Sequence, residues 1–184
     1  MIIRLTDWEV RVCKAVGTER NEVCSKYPKN PDKPIIGNQD PLQSNIEGFV
    51  GEFVFGKAMN TFVDFDTSPK HDVPDGITNS GLRYDVKSTP HRNGRLVVSE
   101  FQINPNVDFY ALVRLIEDFR LVEITGYAWK DEAITEENRN KYQKRPGFWM
   151  HPEELHEFET KEGRIYEPTK MQKLQQGNLF SAHK

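Results

Sequence analysis

Pro74-Asp75-Gly76-Ile77-Thr78-Asn79-Ser80-Gly81-Leu82-Arg83-Tyr84-Asp85-Val86-Lys87-Ser88 is the segment with the clearest pattern in the chain. From Leu82 onward apolar and charged residues alternate, which is the strand period of two. Leu82, Tyr84 and Val86 therefore share one face, and Arg83, Asp85 and Lys87 the other. Asn79-Ser80-Gly81 is turn chemistry, with Gly81 suited to a left-handed position. The spacing predicts a β-hairpin over Asp72 to Ser88. With Thr78 and Leu82 flanking the loop, its register sets Asp75 opposite Asp85. Like charges directly across a sheet are destabilising, and a cation between them reverses the sign of that interaction. A one-residue slip would undo the pairing.

Upstream, Ser44 to Asn60 carries a helical pattern. Ile46, Phe49, Val50, Phe53 and Val54 follow the i, i+3, i+4, i+7, i+8 spacing. Ser44-Asn45-Ile46-Glu47 matches a capping box, which gives Glu47 a structural role. Glu52 has no such local role. It lies off the apolar stripe, in a row with Gly48 and Gly56, and glycines beside an acid leave room for a backbone, a metal or a phosphate.

An acid, then a second acid two residues before a lysine, suits metal-dependent phosphodiester cleavage. Carboxylates hold a hard divalent cation, and the lysine sits beside the attacking water. D-x-K alone recurs by chance, and P-D-G alone is usually a turn. The argument rests on the hairpin that aligns both acids and on the upstream glutamate. The combination of Gly48-Phe49-Val50-Gly51-Glu52, Pro74-Asp75 and Asp85-Val86-Lys87 resembles the PD-(D/E)xK nuclease superfamily. The likeness covers roughly Ser44 to Trp129. It implies an α/β fold of restriction-endonuclease type: a central mixed sheet flanked by helices, with a helix, an acid-bearing hairpin, a further strand, a helix and a closing strand. It also implies cleavage of DNA with Mg²⁺ or Mn²⁺. By that comparison Asp75 and Asp85 resemble the metal-binding acids, and Glu52 the acid that completes the site. Lys87 resembles the lysine near the water, and the backbone carbonyl of Val86 a further metal ligand. The gap between Asp75 and Asp85 is short for the superfamily, which leaves Asp72 as a substitute for Asp75.

At 184 residues the chain suits one domain, with a core at about 44–129, an N-terminal helix and loop at 1–43 and a C-terminal extension at 130–184. No apolar run approaches a membrane span. Cys13 and Cys24 stand apart from any histidine cluster, so the expected setting is a reducing cytoplasm. The net charge of −3 does not advertise nucleic-acid binding, so the placement of positive charge matters more. Arg83, Lys87, His91, Arg92 and Arg95 cluster at and just beyond the hairpin, where Arg83, His91, Arg92 and Arg95 are the expected phosphate contacts. Lys141, Lys144 and Arg145 form a second group. RNA is not excluded as a substrate, and a homodimer is not excluded either.

Elsewhere, Thr6 to Tyr27 is weakly helical, and Pro28 to Pro41 reads as an extended, proline-rich loop. Phe62 to Phe65 and Leu96 to Val98 are short strand candidates. Ser99 to Val107 is the poorest match to the superfamily, which places a helix there. Gln102 is a candidate groove residue. Phe109 to Leu115 and Leu121 to Trp129 are apolar runs expected of buried strands. Asp131 to Tyr142 reads as a charged helix, Phe148-Trp149-Met150 as an apolar anchor, and Lys170 to Gln176 as a short helix stopped by Gly177. No G-x-S-x-G nucleophile and no phosphate loop ending in G-K-S/T occurs. His151 and His156 miss the zinc spacing. Two alternatives stand beside the nuclease: a non-catalytic member of the same fold that binds nucleic acid or protein, and an unrelated α/β enzyme.

Overall fold

A computed structural model describes residues 1–27, 40–70, 72–140, 146–161 and 164–168. The elements in chain order are β1 (Ile2–Arg4), α1 (Asp7–Ser25), α2 (Pro41–Met59), β2 (Gly76–Ile77), β3 (Arg83–Thr89), β4 (Leu96–Ser99), β5 (Phe109–Ile116) and β6 (Leu121–Trp129). After these come α3 (Lys130–Ala133), β7 (Arg139–Asn140), β8 (Gly147–Met150), β9 (Thr160–Lys161) and β10 (Arg164–Ile165). The class is mixed α/β. The central sheet runs β1-β6-β5-β3-β2, with β3 parallel to β5 and its other pairs antiparallel. A second sheet, β4-β8-β7, lies beside it, and β9 and β10 form a short pair.

The apolar run of β5 is buried on both faces, and its alternation builds two cores. Phe109, Ala111, Val113 and Leu115 join α1, α2, β3 and β6 in the larger core. Tyr110 and Leu112 join Leu96 and Val98 of β4 and Phe148 and Met150 of β8 in the smaller one. Leu96–Val98 is a strand as expected, but it belongs to the second sheet. The Phe148-Trp149-Met150 anchor is its partner, with Val97 opposite Trp149. β1 and α1 lie outside the expected core at 44–129, yet β1 closes the edge of the sheet against β6.

Local chemistry explains the helices. Thr6 and Glu9 form a reciprocal capping box that starts α1. The box expected at Ser44 and Glu47 does not form, because α2 starts a turn earlier. Asp40 is its N-cap, accepting from the Leu42 amide at 3.0 Å, and Pro41 takes the first helical position. Glu47 instead accepts from Gln43 Nε2 at 2.9 Å.

Three other expectations need correction. Phe62 to Phe65 is not a strand: Phe62 is exposed, and Phe65 sets its ring edge-on to Phe49 and Phe53, at 5.5 and 6.3 Å. Asp131 to Tyr142 is helical only as far as Ala133, as part of the four-residue α3. It lacks an apolar stripe to dock, and after Ala133 the chain turns into β7, which pairs with β8. The helix expected within Ser99 to Val107 is a three-residue 3₁₀ turn, Glu100–Gln102, so the crossover between the parallel β3 and β5 is made by β4 and this turn. Most of the Pro28–Pro41 loop, the group Lys141, Lys144 and Arg145, and the Lys170–Gln176 helix with Gly177 lie outside the described residues. No helix among the described residues is long and apolar enough to cross a membrane.

The helices touch through glycine. A Cβ on Gly17 of α1 would fall 2.5 Å from Ile46 Cα and 2.8 Å from Ile46 N of α2, atoms that cannot swing aside. A Cβ on Gly48 would meet nothing within 4 Å. Gly17→Ala should therefore cost about 1–3 kcal/mol, the usual penalty of overpacking. Gly48→Ala should gain about 0.5–1 kcal/mol from reduced chain entropy within a helix. Urea melts of both variants test the pair, and shifts of the same sign would contradict the packing described.

Candidate active site

The hairpin forms in the expected register. Gly81 takes a φ of +88°, and the Thr78 amide donates to Leu82 O at 2.7 Å. Gly76 pairs with Tyr84 and Ile77 with Arg83, so Asp75 comes opposite Asp85 one step further along. The Asp75 amide donates to Tyr84 O at 2.9 Å. β2 ends there, leaving the β3 edge open. The Asp75 carboxylate covers it, Oδ2 accepting from the Val86 amide at 2.7 Å. Within a strand the N–H and C=O of one residue leave on the same side, so the Val86 carbonyl faces that edge too. Asp72, the substitute considered for Asp75, is exposed at φ +55°, in the turn before the hairpin.

Strand alternation divides the work of β3. Tyr84 and Val86 enter the larger core, while Asp85 and Lys87 point the other way. Lys87 Nζ lies 2.5 Å from Asp85 Oδ1 and 5.9 Å from the centre of the Tyr110 ring. That buried Asp85 oxygen has no partner with hydrogen-bond geometry, so the contact with Lys87 is one of charge.

Glu52 is not the solvated acid its surface position in the helical pattern allowed. Its side chain is 15% exposed and lies against Arg20 of α1, whose Nη1 donates to both carboxylate oxygens at 2.8 Å. Arg20 also donates to Asp64 O at 3.3 Å and covers the Phe49 ring at 4.7 Å. The sequence reading missed Arg20. The signal was present: Cys13, Gly17 and Arg20 are four and three apart, so a cation shares the buried face of α1.

These groups influence one another's charge. Burial, then Glu52 and Asp85, holds the Asp75 carboxyl well above its ordinary range, against the opposing pull of Lys87 and the Val86 amide. Burial also raises Glu52, and Asp85 adds to it, while Arg20 restrains the rise. Burial pulls Lys87 down, but Asp85, Asp75 and Glu52 outweigh it, so the ammonium is held more firmly than usual. The oxygen donors suit a hard cation in kind. Their side chains, however, already engage Arg20, the Val86 amide and Lys87. Among the described residues no group of three His, Cys, Asp or Glu side chains is arranged to hold a metal ion.

Two cavities adjoin the site. Glu52, Asp75 and Arg20 border one of about 200 Å³, with Asp64 and Lys70 on its rim. Lys87 borders a groove of about 630 Å³, together with His91, Arg95, Gln102 and Trp149. Asp85 lines neither cavity. Of the expected phosphate contacts, Arg83 is already taken. Its Nε lies 3.2 Å from Asp108 Oδ2, the oxygen that also accepts the Arg83 amide at 2.8 Å. His91, Arg92 and Arg95 are exposed. No protein-family model and no curated protein matches the chain.

The sign of the Asp75 shift gives a test. A carboxyl raised in the folded state weakens folding once ionised, so its contribution worsens as pH climbs from the unfolded value, about 4, through the raised folded value. Asp75→Asn keeps an oxygen for the Val86 amide and removes the charge. In the presence of a chelator it should raise the melting temperature at neutral pH, and the gain should vanish toward about pH 4. A lower melting temperature for Asp75→Asn at neutral pH would rule out this electrostatic account.

Proposed function

We propose that this protein is a divalent-metal-dependent nuclease, an endonuclease that hydrolyses DNA phosphodiester bonds on a restriction-endonuclease-like fold of the PD-(D/E)xK kind. The observation that carries the reading is the hairpin register that opposes Asp75 and Asp85 while Glu52 and Lys87 act electrostatically on both. Asp75 and Glu52, each raised by burial and by the Asp85 charge beside a lysine, form an arrangement that costs stability and suits chemistry.

Asp75 and Asp85, with Glu52 and the Val86 carbonyl, would hold Mg²⁺ or Mn²⁺. The donor chemistry fits, and the buried Asp85 Oδ1, which has the Lys87 ammonium beside it but no hydrogen bond, supports it. When bound, such a cation supplies a more acidic water and offsets charge on the phosphoryl group. The remaining roles belong to the chain. Asp75 and Asp85 take up positive charge. Arg20 pairs with Glu52 and restrains the rise that burial imposes on it. Lys87 keeps its proton despite burial, so it is a fixed positive charge for the attacking water and for the negative charge that develops on phosphate. His91 and Arg95 offer phosphate contacts beside it.

The runner-up is a non-catalytic nucleic-acid- or protein-binding member of the same fold. One observation favours it: each acid already has a partner within the protein.

A cleavage panel of linear, circular, single-stranded and branched DNA with Mg²⁺ and Mn²⁺ separates the two. The wild type should cut at least one substrate, and Lys87→Ala should cut it roughly a hundredfold or more slowly, as for loss of an electrostatic catalytic group. Either cation at saturation should raise the wild-type melting temperature, by linkage to the folded state. Full activity in Lys87→Ala would end the catalytic assignment. A melting temperature unmoved by either cation, with no cleavage, favours the binding module.

A further inference from the structure

We infer that the groove beside Lys87 is a binding site for single-stranded DNA, in which an unpaired base stacks on the ledge formed by Trp149 and Arg95. This rests on the nuclease reading for the role of Lys87 and names the form of substrate that reaches it.

The ledge follows from strand alternation. Leu96 and Val98 of β4, and Phe148 and Met150 of β8, turn into the smaller core. The residues between them turn outward: Val97, which is 41% exposed, and Trp149, its partner across the pair. Arg95 lies two residues before Val97, on the same side of the chain, and its guanidinium sits 5.5 Å from the centre of the Trp149 ring. An arginine laid on an indole offers a flat, weakly hydrated surface to a base. Trp149 Nε1 is buried with no hydrogen-bond partner among the described residues, a cost that packing against the strand pair alone does not explain.

Charge and size point to the same occupant. The groove is lined by Lys87, His91 and Arg95, and Glu47 is the acid that faces them. A phosphate backbone complements that balance. At about 630 Å³ the groove falls within the range of sites that enclose one small ligand, roughly 300–1,000 Å³. That is room for unstacked nucleotides and too little for a turn of duplex. The faces of bases are open to stacking only where the strand is unpaired.

Fluorescence anisotropy with a labelled oligothymidylate and a blunt duplex of equal length tests the inference, with a chelator present so that cleavage is not required. The wild type should bind the oligothymidylate. Trp149→Ala should weaken that binding by about five- to a hundredfold, the range for loss of one base–aromatic stack, and should weaken duplex binding less. Trp149→Phe, which keeps a ring, should retain most of the affinity. Arg95→Ala, a change at an exposed position, should fold normally and lose part of it. The inference is overturned if the wild type fails to bind the oligothymidylate, or if Trp149→Ala, shown by its melt to be folded, or Arg95→Ala binds it as the wild type does. Should Trp149→Ala not fold, Arg95→Ala decides alone. Binding that depends on Trp149 without cleavage of any substrate would remove the nuclease reading and keep this site. Cleavage with binding indifferent to Trp149 and Arg95 would do the reverse.

Discussion

Where α2 crosses β3, Gly51 lies so near Ser88 that a Cβ would fall 1.9 Å from the serine Oγ and 3.4 Å from Val86 Cγ1. Only a residue without a side chain lets the helix axis come this close to the strand. From the other side, Gly17 brings α1 against the backbone of α2 at Ile46. α2 is thus clamped between a helix and a sheet, and it has little freedom to rotate. Glu52 follows Gly51 directly, so its departure from the helix is fixed by the same contact. The acid emerges at the rim of the sheet, where Arg20 meets it and the edge of β3 stands open. The placement of Glu52 and Arg20 relative to the hairpin depends on this close approach.

The hairpin was legible because two independent signals agreed. Period-two alternation assigned the faces of β3, and the turn residues assigned the register, so sequence alone set Asp75 against Asp85. The strands β5 and β6 were legible for a similar reason, since long apolar runs have few other uses. The failures share a different cause. Ser44 and Glu47 satisfy a capping pattern, but Asp40 and Pro41 satisfy a better one a turn earlier, and pattern alone does not rank them. Phe62 to Phe65 has strand composition, yet Phe65 packs on the rings of α2 and Phe62 is left exposed. Asp131 to Tyr142 has helical composition without an apolar face to dock. Arg20 and Glu52 are thirty-two residues apart, a pairing that only tertiary structure reveals. The ledge of Trp149 and Arg95 was hidden for the same reason, because the β4–β8 pairing joins segments that are remote in sequence.

The electrostatics of the site is a balance that the protein leaves incomplete. Glu52, Asp75 and Asp85 contribute three acids, and Arg20 and Lys87 contribute two cations within contact. Removing charges from water is expensive unless they are paired, and pairing seldom recovers the whole cost. The shortfall falls on Asp75, whose one fixed partner is a backbone amide and whose carboxyl is raised furthest. A site evolved for stability alone would place an amide or an apolar residue there.

Lys87 joins the two halves of the site. Its ammonium offsets Asp85 on one side, and its stem borders the larger groove on the other. A cation in that position acts in two directions at once. It lowers the cost of gathering the acids, and it adds positive charge to the lining of the adjoining groove. The overall charge of −3 is therefore a poor guide to what this surface attracts. Within the reach of a side chain the field is set by local charges, and beyond about 8–10 Å it is screened at physiological salt. An acidic protein can accordingly present a basic lane, provided the acids lie behind the sheet edge and the cations in front. Along β3 and into the exposed segment that follows it, burial separates the charges: Asp85 is buried, Lys87 half-buried, and His91 and Arg95 lie at the surface.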